Sequence, residues 1–144
     1  MEIKECHISK VLPLRMSVLR PGRPVEEGMF PGDEDKNTFH LGLYEGDKLV
    51  TVASFYKEDN PDLHGTGYRL RSMATEPEAR GNGYGKRILE YGLDKLREDG
   101  IDYLWCNART SASGFYEKMG FEIISDEFDI PTIGPHYVMK IYLK

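Results

Sequence analysis

The stretch "ARGNGYGKRILEYGLDKLREDG", residues 79–100, changes rhythm partway through. Its first half sets glycines at 81, 83 and 85. Its second half repeats Gly85, Leu89, Leu93 and Leu96 at helical spacing, with Gly100 placed to cap the end. Just upstream, "GYRLRSMAT" (67–75) alternates from Tyr68 to Met73 and reads as a strand, with a bulge or splayed end expected at 72–75. A strand, a glycine turn and a long helix in that order expose the unpaired N–H groups of a helix start behind a backbone stripped of side chains. Such a place suits an anion, a phosphate above all. A tight strand-to-helix turn would use the same glycines.

Two familiar nucleotide signatures do not fit. A dinucleotide fingerprint beginning at Gly81 and Gly83 needs glycine at 86, where Lys86 stands. A phosphate loop of the G-x-x-x-x-G-K-[ST] kind needs glycine at 80 and a hydroxyl at 87; both positions hold arginine. What remains is R-x-x-G-x-G: Arg80, Gly83 and Gly85.

Outward from this centre the chain reads as follows. Residues 11–19 form a short helix with Leu12, Met16 and Leu19 on one face. Residues 20–38, rich in Pro, Gly and acids, form a long loop. "FHLGLYEGDKLVTVASFY" (39–56) is a strand pair around a turn, with His40 opposite the apolar face and exposed. "IDYLWC" (101–106) is a strand on which Trp105 packs against a helix. "SASGFYEKMG" (111–120) is a helix with Ala112, Phe115, Tyr116 and Met119 in one stripe, and "FEII" and "HYVMKIYLK" are closing strands. The order predicts a mixed sheet with helices packed on it and at least one strand–helix–strand crossover.

The 144 residues suit one domain, expected over 1–144. Apolar residues at 40% and charged residues at 30% are ordinary for a soluble protein. No apolar run is long enough to cross a membrane, and no secretion signal is read. Cys6 and Cys106 read as free thiols of a reducing compartment, so a cytoplasmic location is expected. The four histidines have no metal-ligand spacing, so no metal is expected. A net charge of −5 argues against nucleic acid as partner.

A second motif lies beyond the glycines: A-x-x-x-A-x-x-F-Y-x-x-x-G-F, carried by Ala108, Ala112, Phe115, Tyr116, Gly120 and Phe121. Together with R-x-x-G-x-G, in this order after a strand, it resembles the GNAT family of N-acetyltransferases. "LRMSVLRPG" and "TIGPHYVMK" are similar to its small ElaA-like bacterial branch. The resemblance implies an α/β fold with a mostly antiparallel mixed sheet of six to seven strands, flanked by three or four helices. It implies transfer of acetyl from acetyl-CoA, as cosubstrate, to a primary amine of a small molecule or peptide, by direct attack in a ternary complex. A CoA-binding sensor without turnover is the alternative. A homodimer is implied by family habit.

By the same resemblance, main-chain N–H groups of Gly81, Asn82, Gly83, Tyr84, Gly85 and Lys86 hold the CoA pyrophosphate. Met73, Ala74 and Thr75 run beside the pantetheine arm, and Tyr116 protonates the departing thiolate. Where many members carry a cofactor-contacting asparagine this chain has Arg109, with Asn107 two residues earlier. An attacking amine must lose a proton, so a base is expected. Glu76, Glu122 and His136 are the candidates. Cys106 is better read as a small buried hydrophobe than as a nucleophile. For the acceptor, Arg15, Arg20 and Arg23 favour an acid, whereas Asp33, Glu34 and Asp35 favour a cation; the charges leave the choice open.

Overall fold

The computed structural model describes residues 1–144. The alternating run near the start of the core closes as a hairpin: β2 (Phe39–Glu45) and β3 (Lys48–Lys57) pair antiparallel across a turn at Gly46–Asp47. β1 (Glu2–Cys6) adds itself antiparallel to the outer side of β2. Sequence reading missed this strand. "EIKEC" offers only Ile3 and Cys6 to the protein, and its charged residues are those of an edge strand protected from further pairing.

β4 (Gly67–Thr75) lies antiparallel to β3, with a bulge. Ala53 faces Met73 while Phe55 faces Leu70, so Arg71 and Ser72 together stand opposite Ser54. Ser72 takes φ 79°, in the left-handed region. The irregularity expected over 72–75 therefore falls at 71–72. From β4 the chain crosses through α2 (Tyr84–Glu98) to β5 (Tyr103–Arg109), which runs parallel to β4. That parallel pairing involves only Gly67–Arg69 against Tyr103–Trp105. Beyond it the two strands part. β8 (Gly134–Tyr142) pairs antiparallel along β5, and β6 (Glu122–Ile123) and β7 (Phe128–Ile130) take successive portions of its outer edge. The sheet thus has eight strands, one more than the upper expectation, in the order β1-β2-β3-β4-β5-β8-β6 with β7 also on β8.

The helices divide between the faces. α1 (Ile8–Leu19) covers one, packing Ile8, Val11 and Leu14 against Val52 and Ala74. Its buried stripe is therefore not the Leu12–Met16–Leu19 row read from sequence. α2 covers the other face with Ile88, Leu89, Leu93 and Leu96, all buried against Phe55, Leu70, Leu104 and Cys106. Each such side chain contributes about 1.5–3 kcal/mol by leaving water. α3 (Ser113–Lys118) follows β5 on the α2 side, where Phe115 and Tyr116 pack against the same core. No helix is long and apolar enough to cross a membrane.

Candidate functional site

Both Gly81 and Gly83 have positive φ, 85° and 75°, which an L-residue resists. A Cβ at either would meet nothing within 4 Å, so open space lies over them. Gly83 is the N-cap of α2 and offers no side chain to cap it. The first helical bond runs from Arg87 N–H to the Gly83 carbonyl (3.1 Å), and Asn82 turns its amide onto the Ala79 carbonyl (2.8 Å). The six backbone N–H groups from Gly81 to Lys86 have no acceptor in the protein. All of these residues but Asn82 border a hollow of about 200 Å³ with Thr75, Arg80 and Phe115. Unpaired amides at a helix start, with Arg80 and Lys86 beside them, have the chemistry to receive an anion.

The splay between β4 and β5 opens a second, larger cleft of about 380 Å³. Met73, Asn107, Arg109, Ala112, Tyr116 and His136 all line it. Met73 and Phe115 lie between the two hollows, each within 4 Å of where a Cβ on Gly85 would be. Beyond Arg69 the β5-facing main-chain edge of β4 has no ladder partner, which suits an extended ligand added as a strand. Of the three strand-end residues predicted from sequence, Met73 lines the cleft and Thr75 the glycine hollow. Ala74 turns its methyl into the α1 core, leaving only its main chain to act. Asn107 and Arg109 both reach the cleft.

Tyr116 packs edge-on against Phe115 and Phe121 (ring centroids 5.1 and 5.3 Å). Burial, and then the nearby Cys106 sulfur, hold its hydroxyl well above the ordinary phenol range, so it keeps its proton. Burial likewise pushes the Cys106 thiol up to about 12, leaving no thiolate at neutral pH. The three candidate bases separate. Glu122 points to solvent and pairs with Lys140. Glu76 borders a hollow near Pro13 and Tyr44, away from the cleft. Only His136 lines the cleft. Its Nδ1–H donates to the Gly134 carbonyl (2.7 Å), which leaves Nε2 with the lone pair in the neutral ring.

Several side chains read as candidates from sequence are occupied elsewhere. Arg15 is fully buried. It donates to both carboxylate oxygens of Asp33 (2.8 and 3.2 Å), to the Gly28 carbonyl (2.6 Å), to Ser54 and Tyr56 hydroxyls (3.0 and 3.2 Å) and, from Nε, to Ser72 Oγ (3.1 Å). Two of the six charges that left the acceptor's sign open, Arg15 and Asp33, thus cancel each other. His40 is buried rather than exposed: Nε2–H donates to the Asp33 carbonyl (2.9 Å), and Nδ1 accepts from Ser54 Oγ (2.7 Å). Trp105 packs under the Arg69 guanidinium (4.9 Å) rather than against a helix, and donates to the Glu58 carbonyl (2.9 Å). Sequence reading passed over Arg69, Arg71, Ser72 and Phe30, all of which line the cleft. The signal was present in "RLR": two arginines flank Leu70 in a strand, so they share the face opposite the core.

Residues 10–121 match the profile described as the acetyltransferase (GNAT) family. The chain is 35% identical over 140 residues to the uncharacterized N-acetyltransferase YitI of Bacillus subtilis, covering 96% of this chain and 94% of that one. Its fold matches the crystal structure of ElaA from Escherichia coli with a TM-score of 0.79 at 21% identity, covering 96% of this chain and 97% of that one. It matches an aminoglycoside 6'-N-acetyltransferase complexed with coenzyme A with a TM-score of 0.74 at 18% identity, covering 100% and 98%.

Proposed function

This chain belongs to the GNAT family of acetyltransferases, and we propose that it moves an acetyl group from acetyl-CoA to a primary amine by direct attack within a ternary complex. One observation carries the reading. Six consecutive amides without acceptors, residues 81–86, open beside a cleft made by two parting parallel strands. A diphosphate matches the first feature and an amide-bearing arm the second. The fit is supported within this structure by the positive φ and empty surroundings of Gly81 and Gly83.

In the proposed reaction residues 81–86 hold the diphosphate, and the β5-facing edge of β4 at Met73–Thr75 aligns the thioester. An N–H on that edge donates to the thioester oxygen as negative charge develops there. The amine nitrogen bonds to the carbonyl carbon, the carbon–sulfur bond breaks, and the electron pair leaves on sulfur. Tyr116, kept protonated by burial, donates to that sulfur. His136 Nε2 takes the proton lost by the amine, directly or through water. Cys106 is too weak an acid to carry the acetyl group, which favours direct attack over a covalent relay. Residues 1–144 act as one domain in a reducing, cytoplasmic setting, and no metal takes part.

The test is calorimetric binding of CoA and acetyl-CoA, followed by release of free thiol over a panel of amines. Binding of CoA with amine-dependent thiol release is expected. Binding without turnover on any amine would favour the silent CoA-binding reading, and absence of CoA binding would remove both.

A further inference from the structure

The cleft between β4 and β5 has a charge opposite to that of the whole chain. The protein carries 24 acids against 19 lysines and arginines, yet the cleft is lined by four arginines and no carboxylate. Arg69 and Arg71 flank Leu70, whose side chain faces the α2 core, so alternation sends both guanidinium groups to the α1 side. Arg71 lies over the Phe30 ring (4.4 Å to its centroid) and has no carboxylate within ion-pair distance. Arg20, also unpaired, stands 5.9 Å from the same ring. Arg69 lies over Trp105 and meets Glu58 at 3.4 Å, while its Nε is buried without any acceptor. Arg15 adds nothing to this field, because Asp33 neutralises it.

Burial and the like charge of Arg69 both push the Arg71 pKa down, the mark of cations crowded out of water. An unmatched buried donor is costly, and so is like charge in a half-buried cleft, unless a ligand supplies the anion. The diphosphate of the carrier does not supply it, since residues 81–86 provide a separate anion site. Leu19, Ile130 and Ile133 complete the wall with apolar surface. The geometry points to an acceptor amine that bears a carboxylate or comparable anionic group, received by Arg71, Arg69 and Arg20, with an apolar portion against Phe30 and the two isoleucines. This rests on the acetyl-transfer reading of the same cleft and narrows it to one class of acceptor.

The test uses matched amines: alanine, phenylalanine and leucine, each with its carboxamide and its decarboxylated counterpart, with acetyl-CoA as donor. At least one acid is expected to exceed its neutral counterparts by about tenfold or more in kcat/KM, the value of one charged hydrogen bond. Arg71→Gln, which removes the charge and keeps a polar side chain, is expected to raise KM for that acid about tenfold more than it raises KM for its neutral counterparts. Arg20→Ala serves as a second variant, and thermal melting confirms that both fold. Preference for neutral or basic amines, or equal loss on neutral and acidic ones, overturns the inference while leaving acetyl transfer intact. A rate with succinyl-CoA above that with acetyl-CoA, lost in Arg71→Gln, overturns it too, by assigning the arginines to the acyl chain. Titration of the N-acetylated acids into the CoA-loaded protein is independent of turnover. Arg71-dependent binding there, without catalysis on any amine, would sink the acetyl-transfer reading yet support the anion pocket. No binding and no turnover of any acid sinks the pocket.

Discussion

Gly83 carries the most specific consequence of any single residue. Its φ of 75° is one an L-residue adopts at a cost of about 1–2 kcal/mol, and β-branching makes it worse. Because nothing lies within 4 Å of its missing Cβ, the added atoms meet no protein; they enter the space assigned to the diphosphate. Gly83→Val is therefore expected to lower unfolding free energy by about 1–2 kcal/mol, leave the fold in place and remove measurable CoA binding. Calorimetry with a parallel thermal melt reads both, and unchanged affinity would return the glycines to a plain turn. Tyr116 makes the complementary case. Tyr116→Phe keeps the ring stack against Phe115 and Phe121, so CoA affinity is expected to hold while kcat falls by about 100-fold or more. Its raised pKa adds a sign: the phenol stays protonated through the working range, so any alkaline fall in rate below about pH 10, the ordinary phenol value, belongs to another group. A pH–rate profile with the same alkaline limb in wild type and variant would bear this out.

At the scale of elements, one buried ion pair holds the wall of the cleft together. Arg15 brings α1, Asp33 brings the 20–38 loop, Ser54 and Tyr56 bring β3, and Ser72 brings the β4 bulge that borders the cleft. Asp33 also receives the Phe30 amide (2.6 Å) and the Tyr56 hydroxyl, so the phenylalanine under Arg71 is fixed by the same carboxylate. Removing one partner strands the other charge in the interior. Asp33→Leu is expected to cost about 3–5 kcal/mol in urea unfolding, and the double variant Arg15→Met with Asp33→Leu less than the sum of the single changes. A loss below about 1 kcal/mol, the worth of an exposed pair, would show that the interior tolerates the lone charge. This network also marks the limit of sequence reading. The glycine turn and α2 were legible because their signals are local: a run of glycines, then a repeat along one helix. Arg15 and Asp33 stand 18 positions apart, across a loop without periodicity, and each alone looks like a surface charge. β1 and β7 were missed for a related reason. They are short edge strands whose pairing is decided by β2 and β8 rather than by their own residues.

For the whole molecule, the buried polar groups behind the cleft predict how stability follows pH. Burial alone would raise the Asp33 pKa, but the Arg15 and Tyr56 hydrogen bonds, the Phe30 amide and the Arg15 charge outweigh it and hold the carboxyl below its ordinary value. Burial is also the chief influence on His40 and holds its pKa down, with Arg15 adding to the fall and the Asp33 carbonyl and carboxylate opposing it. Both shifts have the same sign in linkage: between folded and unfolded pKa values the unfolded chain binds more protons, so stability rises with pH. The histidine contribution is complete above the unfolded value of about 6.5 and declines as pH falls from there toward the folded value. The Asp33 contribution is complete above about 3.9 and disappears below it. Urea unfolding should therefore show a first decline in stability as pH falls below about 6.5 and a second below about 3.9. His40→Gln keeps an amide able to bond Ser54 and the Asp33 carbonyl but cannot titrate, so it should flatten the first decline and leave the second. A slope just below about pH 6.5 that survives His40→Gln would place the proton uptake on another group.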